Sequence, residues 1–294
     1  MKIFDRYIIG EKHLNWTLWD YLRKEIKFSR RNLNRLKSNG LILLNGEVVY
    51  KNRLIKFGDE IKIFSRDEPS ENVIPEFMEL DIIYEDTYII AINKAAGLPV
   101  HPTRRYITGT IANGLVYYWN SKGRDIKIMP INRLDKNTSG ILLFAKNPHI
   151  QHLMAIENAI YLREYIAIVE GYVSEDEGII NKPIAKEPHS IKRIINPEGQ
   201  NALTLYKVKN RNNKGSLLKV QLCTGRTHQI RVHMSSIGHP IFGDDLYGGD
   251  KELIKRQALH GKNFGFVHPI TKVKLKISAP LPKDIKGLCS KIGL

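Results

Sequence analysis

Apolar residues at helical spacing stand out early in the chain. Leu18, Leu22 and Ile26 lie four residues apart, which predicts an amphipathic helix with Thr17 as its N-cap. A second helix is predicted over residues 30–38, because a serine precedes this run and an asparagine–glycine pair ends it. The chain is therefore predicted to begin with a pair of short helices.

Turn signals after these helices predict strands. Residues 41–44 and 48–50 flank Asn45-Gly46, a pair typical of the tight turn of a β-hairpin. Gly58-Asp59 then introduces a last alternating apolar run, which predicts one more strand. Two helices followed by a few strands predict a small α/β module over residues 1–65.

Charge changes abruptly where this module ends. Residues 1–65 carry 14 lysines and arginines and 7 acids, whereas residues 67–86 carry eight acids, two prolines and no base. Such a break in composition is typical of a linker, so we predict a linker over residues 66–79 and a larger domain over residues 80–294. A length of 294 residues also favours two domains.

The larger domain is predicted to consist mainly of strands. The alternation of apolar and polar residues is that of two-sided strands rather than helices. A helix is predicted to start at Asn147-Pro148, because proline suits the first helical position. The predicted strands cover residues 80–84, 88–94, 163–170, 200–209 and 216–222. Many strands with few helices predict an α+β fold dominated by a large sheet.

The formal net charge of +16 indicates a polyanionic partner. Lysine and arginine bind phosphates largely by releasing counterions, so nucleic acid and a membrane surface both fit. No run approaches the ~18 apolar residues of a membrane span, and the first residues lack the apolar core of a signal peptide, so we expect a soluble cytoplasmic protein. Cys223 and Cys289 lie far apart and predict neither a disulfide nor a zinc site.

One carboxylate lies among cations and turn-forming residues. Asp135 belongs to the segment Ile-Asn-Arg-Leu-Asp-Lys-Asn-Thr-Ser-Gly, residues 131–140, which precedes the apolar run 141–145. The threonine, serine and glycine that end the segment favour a tight turn, so the loop is predicted to be fixed at a strand edge and able to aim its carboxylate. The alternative interpretation is an ordinary solvated turn with a local ion pair.

A second segment, Thr-Gly-Arg-Thr-His-Gln-Ile-Arg-Val-His-Met over residues 224–234, predicts a helix with Thr227 as its N-cap. His228 and Arg231 then lie on one face near the positive end of the helix. A buried carboxylate would meet a guanidinium and a helix dipole there. The histidines of this region have no carboxylate at metal-ligand spacing, so no metal site is predicted.

These segments, in this order and spacing, resemble the RluA-type pseudouridine synthases. The first 65 residues, with Ser29-Arg30-Arg31 before the second helix, resemble the S4 RNA-binding module. Two positions depart from the RluA-type pattern, since Asn132 stands where the family usually has histidine and Ala95 where it usually has proline. The matching blocks are residues 86–102, 132–140, 163–165, 202–204, 224–233, 238–240, 243–244, 247–248 and 256–260.

The resemblance implies a pseudouridine synthase fold, in which a large, mostly antiparallel mixed sheet is split by a central cleft and preceded by the S4-like module. It implies that Asp135 is the catalytic aspartate, that the ring of Tyr165 packs on the target base, and that Arg231 pairs with Asp135. That pairing is expected to keep the carboxylate ionised.

The resemblance also implies which residues bind RNA. Arg133, Arg226 and His228 are expected to hold the RNA near the flipped uridine. Arg31 and Arg35, one turn apart on the second helix, are expected to contact phosphates. The alternative for this pair is a solvated helix face.

Conversion of uridine to pseudouridine breaks the C1′–N1 bond, rotates the uracil and joins C1′ to C5. Every atom is kept, so no cofactor, metal or external energy is expected. The reaction needs a carboxylate near C1′, C2′ or C6 and a platform for the detached uracil, which Asp135 and Tyr165 would supply. The sequence leaves open whether Asp135 attacks C1′, adds at C6 or removes the 2′ proton.

Two other functions compete with isomerisation. A non-catalytic RNA-binding or ribosome-assembly protein is the alternative if Asp135 lies far from Tyr165 and Arg231. A hydrolase that cleaves the glycosidic bond is the other, although it usually needs a second carboxylate, for which Asp244 is a candidate. The expected partner is ribosomal RNA, with transfer RNA as the alternative, and a monomer is expected.

Overall fold

The computed structural model describes residues 2–49, 52–65, 69–70, 73–157 and 159–294. Residues 2–65 form a small N-terminal part, here called the arm. Residues 73–294 form a larger part built on a ten-stranded sheet, here called the sheet domain. Each has its own cluster of buried apolar residues.

The arm is an antiparallel four-stranded sheet with short helices. Its elements are β1 (Lys2–Ile8), α1 (Leu18–Asp20), α2 (Arg30–Ser38), β2 (Ile42–Leu44), β3 (Glu47–Val48) and β4 (Glu60–Ser65). The strand order is β1–β4–β2–β3. The predicted hairpin and last strand are confirmed, except that Tyr50 lies outside the described residues. Strand β1 was not predicted, because the charged Asp5 and Arg6 interrupt its apolar residues.

The first predicted helix is only partly correct. Thr17 caps it as predicted, since its hydroxyl accepts a hydrogen bond from the Asp20 amide at 3.1 Å. After α1, however, the chain widens into a π-helical turn over Tyr21–Glu25. The wider turn buries both Tyr21 and Leu22 in the core of the arm. The second helix, α2, has the predicted bounds and is capped by Ser29.

The sheet domain contains twelve strands and four α-helices among the described residues. Its strands are β5 (Ile82–Glu85), β6 (Ile89–Lys94), β7 (Met129–Pro130), β8 (Ser139–Ala145), β9 (Ile160–Glu170), β10 (Glu177–Asn181), β11 (Ile184–Lys186), β12 (Arg193–Ile195), β13 (Leu203–Arg211), β14 (Gly215–Leu222), β15 (Leu259–Val267) and β16 (Lys274–Ser278). Its helices are α3 (Ile111–Ser121), α4 (Pro148–Ile156), α5 (Gln229–Ser235) and α6 (Lys283–Ile292).

The strand order of the large sheet is β10–β13–β14–β9–β15–β8–β6–β5, with β16 beside β15 and β7 beside β8. Every ladder between described strands of this sheet is antiparallel except the one between β8 and β15. Strands β11 and β12 form a separate hairpin. The predicted α+β class, with a large and mostly antiparallel mixed sheet, is confirmed.

The parallel pair lies at the centre of the sheet and depends on glycine. Gly140 has a φ of 119°, and a Cβ atom there would lie 2.3 Å from the carbonyl oxygen of Gly261. Only a residue without a side chain allows β8 and β15 to approach this closely. The loop that carries Asp135 enters β8 at this point, so the close approach places that loop over the middle of the sheet.

Helix α3 was not predicted, and part of the predicted linker packs against it. The amide of Asn113 on α3 donates to the carbonyl oxygen of Ile74 at 2.7 Å, and Met78 contacts Gly114. Residues 73–79 are therefore held on the sheet domain. Residues 66–68 and 71–72 of the predicted linker lie outside the described residues.

The arm contacts the sheet domain through α4. The ring of Phe28 stacks on His149, with centroids 3.6 Å apart and an interplanar angle of 8°. Burial lowers the pKa of His149 to about 3, so the stacked imidazole is neutral. Lys27 Nζ pairs with Glu157 Oε1 at 2.7 Å beside the stack.

Candidate active site

The loop that carries Asp135 is held from its buried side by a lysine. Lys94, at the end of β6, is 1% exposed, and its Nζ donates to the carbonyl oxygens of Ala95, Leu98 and Lys136 at 2.8–3.0 Å. Three carbonyl acceptors match the three N–H groups of an ammonium. Burial lowers the pKa of Lys94 to about 7. Lys136 follows Asp135 directly, so this contact fixes the backbone beside the carboxylate.

An arginine holds the next residues of the same loop. Arg256 Nε and Nη2 donate to Asp284 of α6 at 2.7 and 2.9 Å. The remaining donors of Arg256 reach Asn137 O at 3.2 Å and Ser139 Oγ at 3.3 Å. Burial opposes ionisation of Asp284, but the hydrogen bonds from Arg256 outweigh it and hold the pKa of this carboxyl below its usual value. Helix α6 thereby contributes to the position of the loop.

Asn132, one of the two departures from the family pattern, joins the loop to β8. Its amide donates to Ile141 O at 2.9 Å, and its side-chain oxygen accepts from the Leu143 amide at 2.8 Å. These two bonds continue the backbone pairing of β8. The contacts on both sides agree with the prediction of a fixed loop at a strand edge.

The open side of the loop faces a cavity of about 230 Å³. The residues that the sequence placed in one site line this cavity together, although they come from distant parts of the chain. They are Asp135, Arg133, Tyr165, Arg226, His228 and Arg231. Arg163, which was not predicted as a site residue, is a further cation in the lining. Arg31 and Arg35 lie on α2 of the arm and do not line it.

Arg231 contacts two carboxylates at the back of the cavity. Its Nη1 lies 3.2 Å from Asp135 Oδ2. Its Nε and Nη2 donate to Asp244 at 2.6 and 2.7 Å in a planar, two-point contact. Burial disfavours the charged guanidinium, but the hydrogen bonds to Asp244 outweigh it and raise the pKa of Arg231. Arg231 is therefore a fixed cation whose remaining nitrogen, Nη1, contacts Asp135.

Asp244 is too enclosed to act as a second acid. Its side chain is 0% exposed, both its oxygens accept from Arg231, and it does not line the cavity. A general acid needs access to the leaving group, whereas this carboxylate lies behind an arginine and outside the cavity lining. Asp135, by contrast, has a side chain that is 27% exposed and faces the cavity.

Tyr165 of β9 contributes an aromatic wall to the cavity. The residue is 9% exposed, and burial raises its pKa to about 12, so the phenol is neutral. Its hydroxyl has no hydrogen-bond partner among the described residues. Gly261 of β15 lies against the ring, because a Cβ atom at that position would be 3.5 Å from Tyr165 Cε1.

The predicted cap of the helix that carries Arg231 is wrong. Helix α5 begins at Gln229, and its N-cap is His228 with a left-handed φ of 58°, not Thr227. The side chain of Gln229 closes the preceding loop instead, since its oxygen accepts from the Arg226 amide at 2.9 Å and the Thr224 hydroxyl at 2.8 Å. His228 and Arg231 still face the same cavity.

Other candidate chemistry is sparse in the described part of the chain. No group of three or more histidine, cysteine, aspartate or glutamate side chains there could hold a metal ion. The imidazole nitrogens of His233 contact Thr204 Oγ1 and Lys182 O, both at 2.9 Å. Cys223 and Cys289 are free thiols. Among the described helices, none combines the length and apolar character of a membrane span.

Comparison with known proteins shows the family of the chain. Residues 88–236, which include Asp135, Tyr165 and Arg231, match the family model for RNA pseudouridylate synthase. The chain is 40% identical to the RNA pseudouridine synthase YhcT of Bacillus subtilis over 96% of this chain and 95% of the relative. The chain belongs to the RNA pseudouridine synthase family. It is an isomerase that converts uridine in RNA to pseudouridine.

Further relatives of this pseudouridine synthase support the family and the fold. It is 33% identical to ribosomal large subunit pseudouridine synthase D of Blochmanniella floridana over 96% of both chains. The solved structure of human RNA pseudouridylate synthase domain containing 1 superposes with a TM-score of 0.57 at 23% identity, over 72% of this chain and 86% of that one. The sheet domain therefore has the pseudouridine synthase fold.

Proposed function

We propose that this pseudouridine synthase modifies a uridine of large-subunit ribosomal RNA, with Asp135 as the reacting carboxylate. The observation that carries the assignment of Asp135 is its position at a cavity that Tyr165 also lines, with Arg231 Nη1 at 3.2 Å. The other carboxylate nearby, Asp244, is buried and occupied.

Each residue of the site has a distinct part in the proposed reaction. Asp135 acts at C1′, C2′ or C6 of the flipped uridine while the C1′–N1 bond breaks and its electron pair leaves with the uracil. The ring of Tyr165 supports the detached uracil as it turns to present C5. Arg231 holds the Asp135 carboxylate in position, because the other donors of Arg231 are fixed on Asp244. C1′ then joins C5, and the C5 proton leaves.

Cations around the cavity support binding of a flipped nucleotide. Extrusion of a uridine from a helix costs about a few kcal/mol, which phosphate contacts must offset. Arg133 and Arg226 are exposed at the cavity, and Arg163 is half-buried beside them. Their charges suit the phosphates on either side of the target, and His228 lies deeper in the lining.

The arm is proposed to be an S4-like RNA-binding module. Its helix α2 carries the exposed Arg31 and the half-buried Arg35, and the arm is docked on the sheet domain through Phe28 and His149. RNA bound to the arm would therefore be held at a set distance from Asp135. The choice of ribosomal RNA rests on the relative named as acting on the large ribosomal subunit. We propose a cytoplasmic monomer, since one chain supplies every residue of the cavity.

Release of tritium from C5-labelled uridine tests the proposal. Large-subunit ribosomal RNA transcribed with [5-³H]uridine is incubated with the enzyme, and tritium in water and free uracil are measured together. Isomerisation releases tritium without uracil, whereas glycosidic hydrolysis releases uracil. Tritium release from transfer RNA but not from ribosomal RNA would contradict the proposed substrate, and mapping pseudouridine in total RNA after gene deletion then identifies the position.

A further inference from the structure

Two consecutive hydrogen bonds run behind the cavity and end at His228, which lines it. The backbone amide of Arg193, the first residue of β12, donates to Tyr247 Oη at 2.8 Å. Tyr247 Oη in turn lies 2.9 Å from His228 Nδ1. Tyr247 is 6% exposed and does not line the cavity, whereas His228 does. These hydrogen bonds therefore connect a buried hydroxyl to an imidazole that lines the cavity.

This arrangement fixes which nitrogen of His228 carries the proton. Tyr247 Oη accepts the Arg193 amide, and His228 Nδ1 is the acceptor available to its own proton among the described residues. Burial raises the pKa of Tyr247 to about 12, so the hydroxyl keeps that proton. Burial also lowers the pKa of His228, so its ring is neutral. A neutral imidazole that accepts at Nδ1 carries its proton on Nε2.

The Nε2–H group faces the reacting region and is unpaired among the described residues. It lies 3.9 Å from Asp135 Oδ1, beyond hydrogen-bond distance. The ring cannot turn freely, because its edge packs at 83° against the ring of Tyr247 with centroids 5.7 Å apart. The cavity wall thus presents one fixed donor next to one fixed carboxylate.

We propose that His228 Nε2–H donates a hydrogen bond to the uracil carbonyl beside the atom that is joined to C1′, and that Tyr247 is the positioning residue for this donor. The inference rests on the proposed function of the site. A carboxylate only accepts hydrogen bonds, so ribose hydroxyls suit Asp135. An N–H group only donates, and the uracil carbonyl oxygens only accept.

The symmetry of uracil makes one donor sufficient for the whole reaction. Turning the ring about the axis through N3 and C6 exchanges N1 for C5, and it also exchanges O2 for O4. The donor that meets O2 in uridine therefore meets O4 after rotation. When the C1′–N1 bond breaks, negative charge spreads over N1, O2 and O4, so a fixed N–H beside these oxygens stabilises the detached base.

The test pairs a change in the enzyme with a change in the base. His228→Asn removes the Nε2 donor, because the shorter amide ends near the Nδ1 position, and asparagine tolerates the left-handed backbone of residue 228. The substrate is an RNA fragment that the wild-type enzyme is first shown to modify, carrying uridine or 2-thiouridine at the target. A thiocarbonyl is a weaker acceptor than a carbonyl. Single-turnover rates and RNA affinity are measured for both substrates.

For the wild-type enzyme we expect 2-thiouridine to lower the rate about five- to tenfold, the loss typical of one hydrogen bond. His228→Asn should lower the rate on uridine by about the same factor. In that variant, replacing uridine by 2-thiouridine should lower the rate by less than about a further twofold. RNA affinity should stay within about twofold. His228→Gln, whose amide nitrogen reaches the Nε2 position, should recover most of the rate.

Tyr247→Phe tests the positioning role independently of residue 228. It should lower the rate about threefold with unchanged RNA affinity, and the loss should vanish in the His228→Asn background. His189→Asn is the matched control, because His189 is exposed and also has a left-handed φ of 56°. It should leave the rate unchanged.

The proposal would be overturned if 2-thiouridine lowered the single-turnover rate by the same factor in wild-type enzyme and in His228→Asn. It would also be overturned if a 2′-deoxyuridine target lowered the rate of wild-type enzyme but not that of His228→Asn. Either result requires an RNA that the wild-type enzyme modifies. The absence of any modified RNA would instead contradict the proposed function.

Discussion

Two arginines hold the Asp135 loop from opposite faces, and they do so in different ways. On the cavity face, Arg231 is fixed by Asp244 and contacts the Asp135 carboxylate. On the buried face, Arg256 is fixed by Asp284. It contacts the carbonyl oxygen of Asn137 and the hydroxyl of Ser139. Each guanidinium is anchored by one carboxylate and holds the loop with its remaining donors.

The two arginines differ in what their remaining guanidinium donors contact. Arg256 contacts the body of the loop and therefore sets its position, together with Lys94. Arg231 contacts the side chain that faces the cavity and therefore sets the orientation of Asp135, the proposed reacting group. We infer that the buried face supplies mainly stability, whereas the cavity face supplies mainly chemistry.

Among the residues that support Asp135, the largest effect is expected on the cavity face. Arg231→Lys should lower the single-turnover rate at least about hundredfold, because an ammonium cannot contact both Asp244 and Asp135 with the geometry of a planar guanidinium. RNA affinity should change little. Rates and affinity are measured with the same RNA fragment. A loss of less than about threefold would mean that Arg231 is not the working partner of Asp135.

The next largest effect concerns the aromatic residue of the cavity lining. Tyr165→Leu should lower the rate about thirtyfold because it removes the aromatic platform, whereas Tyr165→Phe should be milder because it keeps the ring. Single-turnover tritium release compares the two variants. If the phenylalanine variant fails at the chemical step while binding RNA normally, the hydroxyl moves a proton. Equal, high activity in both would make Tyr165 a core residue only.

A conservative change on the buried face should separate stability from chemistry. Arg256→Lys should lower the free energy of unfolding by about 1–3 kcal/mol, since Asp284 and the loop oxygens lose donors. The rate at a temperature where the variant is folded should stay within about fivefold. Urea unfolding and single-turnover kinetics measure the two quantities. If Arg256→Lys lowered the rate as much as Arg231→Lys without loss of stability, the inference that the buried face supplies mainly stability would be contradicted.

The smallest effect is expected far from the loop, in the arm. Arg31→Ala should leave the chemical rate unchanged and reduce the slope of log affinity against log salt by about 0.7–0.9, the value for one phosphate contact. Lys274→Ala is the control, because Lys274 is exposed on β16 and does not line the cavity. Binding is measured across a salt series. An identical slope for Arg31→Ala and wild-type enzyme would contradict RNA contact by α2.

Local sequence patterns predicted about half of the strands, whereas the grouping of Asp135, Tyr165 and Arg231 in one site came from the family resemblance. The turn-forming residues at the start of β8 indicated a fixed loop with Asp135 on it, and helical spacing put His228 and Arg231 on one side of the second segment. Helix α3 was missed, since it is apolar on most sides and its buried Trp119 and neighbours show no polar face.

The groups that hold the loop could not be predicted, because they meet only in the fold. Arg256 contacts Asn137 across 119 residues of chain, and Lys94 reaches Lys136 across 42. A buried charge has the same sequence signature as an exposed one until its partner is known. The cap of α5 was wrong for a related reason, since the side chain of Gln229, rather than that of Thr227, closes the loop before it.

Asp135→Asn gives the most direct test of the central claim, that the exposed carboxylate on the cavity face performs the isomerisation. Asparagine keeps the shape of the side chain and removes its charge, so RNA affinity should stay within about threefold while tritium release from [5-³H]uridine RNA falls by about a thousandfold or more. Wild-type enzyme should release tritium without free uracil in the same assay. Tritium release by Asp135→Asn at a rate near that of the wild type would contradict the account.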